Sequence, residues 1–235
     1  MQQYFMDSPL EVGQKAVFTK EQAHHAGTVV RLNNEVIRLV YNGKGYFAVG
    51  APEGKGFSAL VTEEDPRVNE LNTKITLAMA LIRREKMEWV LQKATELGVS
   101  RIVPFVSSRC VVKNKKEKTD RWNTIVLEAA QQCKRNFIPE ITGVVSLKEL
   151  KDYRSDVNLA AFEKASESSG RISKYLPAGS VTVVIGPEGG FSDDEVSMMS
   201  DMDFHPITLG NRILRAETAA VYAVSVIGEY EEGAR

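Results

Sequence analysis

From residue 74 onward the chain repeats one arrangement: a strand-sized apolar run, a helix-sized amphipathic run, then another apolar run. ITLAMAL (75–81) is followed by EKMEWVLQKATELG (85–98), and IVPFV (102–106) by TDRWNTIVLEAAQQCKR (119–135). ITGVV (141–145) leads into SLKELKDY, VNLAAF (157–162) into a Ser-rich connector, and VTVVIG (181–186) and HPITLG (205–210) each precede a further helical stretch. Apolar runs without polar alternation suit strands buried on both faces, and the helices between them are the crossovers that parallel neighbours require. The pattern predicts an α/β domain built on a parallel sheet.

The first seventy residues follow another rule. Short runs (AVFTK, EVIRLVYN, YFAVG, FSALVT) are separated by a GKG turn and a PEGKG loop, which predicts a small antiparallel β structure interrupted by one helix over 21–32. The polar segment EEDPRVNELN (63–72), with Pro66, separates the two patterns. The expected domains are therefore 1–69 and 70–235.

Composition narrows the class. With 43% hydrophobic and 26% charged residues the chain has the makings of a globular core, which argues against disorder. No apolar run approaches the roughly 18 residues of a membrane span, and the opening MQQYFMDSPLEVG lacks the regions of a signal peptide. A cytoplasmic protein with no membrane partner is expected. Two cysteines and three histidines offer neither a disulfide framework nor a metal cluster, so no metal is expected. The net charge of -1 conceals an uneven distribution: residues 109–121 hold six basic side chains against two acidic, and residues 188–203 hold six acidic and no basic ones. A basic loop is ordinarily a solvated face, but it is also what an RNA backbone attracts.

Two strand-end loops carry the chemical signal. After VTVVI comes GPEGGF, then Ser192 with Glu195 three residues later, a capping-box pattern at a helix start. Crevices beyond the carboxyl ends of parallel strands bind ligands, and glycine lets them approach the backbone. Glu188, Asp193, Asp194 and Glu195 disfavour a triphosphate and suit a ligand without phosphates, even a cationic one. The second loop, GNRILR (210–215), runs into AETAAVYAVSVIGEY, a helix so apolar that burial on several sides is expected. Arg83, Arg84 and Lys86, and Arg109 with Lys134 and Arg135, cluster near strand and helix ends, where phosphate contacts could position RNA. Spacing alone leaves open a nucleotide-using α/β hydrolase and a non-catalytic RNA-binding module.

Taken together, EKMEWVLQKATELGV (85–99), EAAQQCKRN (128–136), IGPEGGFSDDEV (185–196) and LGNRILRAETAA (209–220) resemble the RsmE family, SPOUT-superfamily methyltransferases of small-subunit ribosomal RNA. HHAGTVVRL resembles that family's histidine and arginine pattern at His25 and Arg31. Gln3 stands where the family commonly has arginine, Asn33-Asn34 shortens a turn, and Gln131 replaces a usual glutamate.

The resemblance implies a PUA-like β-barrel followed by a SPOUT-type parallel sheet with a C-terminal trefoil knot, a homodimer, and S-adenosylmethionine as cofactor. It places the cofactor against Ile185, Gly186, Pro187, Glu188, Gly189 and Gly190 and against Leu209, Gly210, Ile213 and Leu214, largely through backbone groups. The implied reaction methylates N3 of a uridine in the decoding region of 16S rRNA. Uracil N3 carries a proton and is a poor nucleophile until that proton leaves. Arg212 and Arg215 are the candidates for stabilising the developing charge, and Glu217 or Glu188 for acting as base or for holding an arginine. The expected RNA contacts are His25, Arg31, Arg83, Arg84, Lys86, Arg109, Lys113, Lys115, Lys116 and Arg135.

Overall fold

The computed structural model describes residues 1–54, 56–112, 119–165 and 169–233. Two compact units divide the chain: residues 1–70 with 130–137, and residues 71–129 with 138–235.

The first unit is a five-stranded sheet of order β1-β3-β4-β5-β2, made from β1 (Gln3–Phe5), β2 (Lys15–Val17), β3 (Glu35–Tyr41), β4 (Lys44–Glu53) and β5 (Gly56–Asp65). The hairpin from β3 to β4 closes through Asn42 (φ 46°) and Gly43 (φ 80°), with Tyr41 opposite Lys44. Positive φ at both central positions is the two-residue turn that matches strand twist, so the turn falls on Asn42-Gly43 and Lys44 already belongs to a strand. The sheet is mixed rather than purely antiparallel, because β1 pairs in parallel with β3, Gln3 opposite Arg38.

Between β2 and β3 the helix expected over 21–32 is cut short. Helix α1 (Lys20–His24) starts on a capping box at Thr19 and Gln22, widens into a π turn over His25–Val29, and gives way to Arg31 at φ 61°. Gly27 and the β-branched Thr28, Val29 and Val30 favour neither α-helical entropy nor α-helical packing.

Strand β3 hides an arginine. Ile37 and Leu39 face an apolar core with Tyr4, Ala48, Phe57 and Val61, while Arg38, fully buried, occupies the opposite face. Its guanidinium meets Asp65 at 2.7 Å, Gln3 Oε1 at 2.8 Å, and the carbonyl oxygens of Lys134 and Arg67. Residues 134–136 thus belong to this unit's interior, and Gln3 serves it by also donating to the Arg135 carbonyl at 2.8 Å.

The second unit holds a fully parallel sheet of order β12-β10-β11-β6-β7-β8, with β9 also on β7. Its strands are β6 (Lys74–Ala80), β7 (Arg101–Val106), β8 (Glu140–Ile141), β9 (Val145–Ser146), β10 (Val157–Ala161), β11 (Ser180–Ile185) and β12 (His205–Ile207). Central β6 and β11 are buried at nearly every residue, as strands covered on both faces must be. The run 141–145 is split, Thr142 and Gly143 separating two short strands, and SLKELKDY forms a 3-10 helix over Leu147–Tyr153. Helices α2 (Arg84–Glu96), α3 (Thr119–Gln132), α4 (Asp193–Asp201) and α5 (Ala216–Gly233) complete the chain. On α5, Ala216, Ala220, Ala223, Val224 and Ile227 form the buried stripe, while Tyr222 and Tyr230 remain exposed.

Candidate active site

Strand order builds the site. Strand β10 lies between β11 and β12, and the parallel registers place Ala160 beside Val184 and Ala161 beside Ile207, so all three strands end at one edge. The loops leaving that edge, after β10, β11 and β12, surround a cavity of about 610 Å³ together with the first turns of α2 and α5. This is the crevice that parallel-strand geometry favours, and its volume suits a ligand of drug-like size.

The loop after β11 is held from several sides. The Gly190 amide donates to the Pro187 carbonyl at 2.9 Å, and Gly190 sits at φ +65°, where a Cβ would lie 2.5 Å from a carboxylate oxygen of Glu163. A side chain there would be strained and would clash. At Gly186 a Cβ would press on the Phe191 ring at 3.0 Å, and Phe191 is itself buried, stacked parallel to Phe105.

Beyond Phe191, Ser192 caps α4 by accepting from the Glu195 amide. Glu195 returns one oxygen to the Ser192 amide and gives the other to the Ser108 amide at 2.7 Å. Burial pushes the Glu195 carboxyl up, but these amide donors and the Ser108 and Ser192 side chains outweigh it and hold it below its ordinary value. Arg109 braces the same loop by donating to the Gly189 carbonyl at 3.0 Å.

The loop after β12 turns at Gly210 (φ 110°), whose amide donates to the Thr208 hydroxyl at 3.1 Å. It then carries Arg212 and Arg215, both exposed, before α5 begins at buried Ala216. On α5, Glu217 Oε1 meets Lys86 Nζ at 2.9 Å, with side chains 15% and 29% exposed. Burial pushes Glu217 upward, but the Lys86 hydrogen bond, its own amide and the charges of Lys86 and Arg215 prevail and keep it an anion.

Residues 69–228 match the family model of the RNA methyltransferase domain. Over 251 aligned residues the chain is 35% identical to the ribosomal RNA small subunit methyltransferase E of Bacillus subtilis, covering 99% of this chain and 98% of that one. The chain belongs to the ribosomal RNA small subunit methyltransferase E family. Among solved structures, the methyltransferase E of Neisseria gonorrhoeae bound to S-adenosyl methionine superposes with a TM-score of 0.89, at 29% identity and 98% coverage of both chains. A Legionella pneumophila protein in complex with bound SAM gives 0.86, at 33% identity and 97% coverage of both.

In this family member the cavity gathers Ile185, Gly186, Pro187, Glu188 and Gly190 from one loop, and Leu209, Gly210, Ile213 and Leu214 with Arg212 and Arg215 from the other. Gly189 turns outward to Arg109. Glu217 does not line the cavity; Lys86, paired to it, does. Lys86 is therefore a cavity residue, not part of an open basic patch with Arg83 and Arg84.

Those two arginines are exposed at the start of α2, Arg84 bonded to Glu88, which also meets Arg121. Arg135 is a correction: it is 3% exposed and forked onto Glu70, at 2.5 Å from Oε2, and so lies inside the first unit rather than on an RNA-facing surface. His25, exposed, shares a 3.0 Å hydrogen bond between Nδ1 and the Tyr4 hydroxyl, which burial pushes up to about 12. Arg31 is exposed on the same unit. Lys113, Lys115 and Lys116 lie outside the described residues.

Sequence reasoning missed the third loop. Phe162, Glu163 and Ala165, after β10, line the cavity. The signal was present, since VNLAAF is a strand with a polar connector behind it, but its value depends on β10 lying between the other two strands. Among the described residues no helix is long and apolar enough to cross a membrane, and no group of three or more His, Cys, Asp or Glu could hold a metal ion.

Proposed function

We propose that the protein is an S-adenosylmethionine-dependent methyltransferase that modifies N3 of a uridine in the decoding region of 16S rRNA within the small ribosomal subunit. The observation that carries this reading is the cavity itself, enclosed by three strand-end loops in a chain whose close structural relatives are described with SAM bound. Its two sides differ in charge. Glu163 and Glu188 stand on the loops after β10 and β11, while Lys86, Arg212 and Arg215 come from α2 and the loop after β12.

The acidic side fits a cationic cofactor, and the glycines leave room for it against the backbone of residues 185–190 and 209–214. When bound, S-adenosylmethionine supplies an electrophilic methyl carbon on a positively charged sulfur. The basic side fits an acceptor that becomes anionic. Arg212 and Arg215 donate toward the acceptor, and guanidinium donors aimed at the carbonyl oxygens favour a deprotonated base. Glu217, an ion-paired carboxylate, holds a cation rather than a proton.

N3 lies on the Watson–Crick edge, so the target uridine is unpaired or extruded when it reacts. The larger assembly follows the same reading: a PUA-like barrel over 1–69 that grips RNA through His25 and Arg31, a knotted SPOUT domain over 70–235, and a cytoplasmic homodimer using the open face of α5. Arg83, Arg84, Arg109, Lys113, Lys115 and Lys116 are assigned to the RNA backbone, which makes binding salt-dependent. Replacing the three lysines with Gln flattens that dependence.

The test is incubation of the protein with labelled S-adenosylmethionine and unmethylated 30S subunits, followed by mass spectrometry of the nucleosides. The expected product is 3-methyluridine; label on cytidine or ribose overturns the assignment. Calorimetry should show binding of S-adenosylmethionine but not of ATP with magnesium.

A further inference from the structure

We infer that Lys86 is the cation that faces the acceptor base, and that Glu217 is the positioning residue that holds it there. The inference rests on the methyltransferase reading and deepens it by naming a group for the acceptor.

Lys86 stands apart from its neighbours. Arg83, Arg84 and Glu85 are exposed, whereas Lys86, one residue before buried Met87, lines the cavity between α2 and α5. Its Nζ meets Glu217 Oε1 at 2.9 Å. The other oxygen, Glu217 Oε2, is buried and has no hydrogen-bond partner among the described residues. Buried polar atoms are nearly always paired with protein, water or ligand, so this oxygen keeps room for a further donor beside the cavity. Beside its own amide, Glu217 holds one ammonium, and an ammonium has three hydrogens to give.

The hydrogens not committed to Glu217 are available to an acceptor. Uracil N3 lies between two carbonyl carbons, and when it ionises its proton goes to solvent hydroxide as water while the electron pair stays on the base and spreads onto the carbonyl oxygens. A cation beside one of those oxygens stabilises the anion and so lowers the pKa of the N–H group. Lys86 is better fixed than Arg212 or Arg215 for this, because it projects from a helix and is tied to a second helix, whereas the arginines lie on an exposed loop. The charged groups around it are Glu217 on α5, Arg212 and Arg215 on the loop before α5, and Glu163 and Glu188 on the other two loops.

The experiment compares the wild type with Lys86→Met, Lys86→Arg and Glu217→Gln on small subunits lacking the methyl group, with cofactor affinity measured separately by calorimetry. The expected result for Lys86→Met is a fall in kcat of roughly 10²-fold, the loss of one preorganised donor, with cofactor affinity unchanged. The rising limb of its pH–rate profile moves to higher pH, because the base must ionise without help. Lys86→Arg restores part of kcat and of the limb. Glu217→Gln loses roughly 10-fold, less than removing the donor itself, and moves the limb the same way.

If Lys86→Met keeps the wild-type kcat and limb, the inference is overturned while the methyltransferase reading stands. If it loses cofactor affinity with its limb in place, Lys86 serves the cofactor and the inference is likewise overturned. A wild type that gives no methylated uridine removes the parent reading and this one with it.

Discussion

Asp65 and Glu217 are both carboxylates drawn out of water beside a cation, and they are built differently. Asp65, 1% exposed at its side chain, is saturated: Oδ1 accepts from the Arg67 amide and Nε, and Oδ2 from Arg67 Nη2 and Arg38 Nε. Glu217 has the Lys86 ammonium on one oxygen and, among the described residues, no hydrogen-bond partner on the other. A buried ion pair repays its desolvation only when the remaining lone pairs and protons are also satisfied. The Arg38 cluster meets that condition and so serves the fold of the first unit. The Lys86 pair does not meet it and stands at a cavity, where the unused capacity is available to a ligand.

The largest expected effect breaks the saturated member. Asp65→Ala leaves Arg38 charged and buried without its partner and costs about 3–5 kcal/mol, read from the shift in urea midpoint. Gly190→Ala comes next, at about 1–3 kcal/mol for forcing a left-handed backbone on a side chain. Because the displaced atoms belong to Glu163, it also weakens S-adenosylmethionine binding in calorimetry. Glu217→Gln sharpens the contrast, costing less than about 1 kcal/mol of stability, the worth of one ordinary hydrogen bond, while lowering turnover. Smallest is Arg84→Ala, which removes an exposed i,i+4 pair with Glu88 and changes stability by about 0.3–0.5 kcal/mol.

The same comparison has a pH axis. Hydrogen bonds from Arg67, opposed by burial and aided by Arg38, hold the Asp65 carboxyl at about 2. A carboxyl whose folded pKa is depressed contributes stability that is full above its unfolded value, about 3.9, and is lost as pH falls through the folded one. Asp65→Asn should therefore flatten the acid limb of the stability curve between those two values, as followed by urea denaturation at successive pH. If that limb is as steep as in the wild type, Asp65 is not the group responsible.

Several parts of this design were legible in the residues. The parallel sheet followed from β6, β7 and β11, whose apolar runs leave no face for water. The α4 start followed from Ser192 and Glu195, since a capping box is a local device whose partners lie three residues apart. Other parts were not. Arg38 sits in EVIRLVY, and alternation says only that it faces away from Ile37 and Leu39; that this second face is covered by residues 134–136 depends on a segment nearly a hundred positions away. Arg135 looks from its neighbours like a surface cation, and its partner Glu70 lies 65 positions away. The parallel pairing of β1 with β3 has no signature in three residues.

The chain's own order of residues settled where the strands and helices run, where the glycine loops fall and which family they belong to, because periodicity, capping and turn chemistry act over a few neighbouring positions. Which charges meet was decided in three dimensions. Strand order brought the loop after β10 between its two fellows, and helix packing set Lys86 against Glu217. Such pairings arise from elements distant along the chain, where the free energy of burying a charge depends on what folds over it.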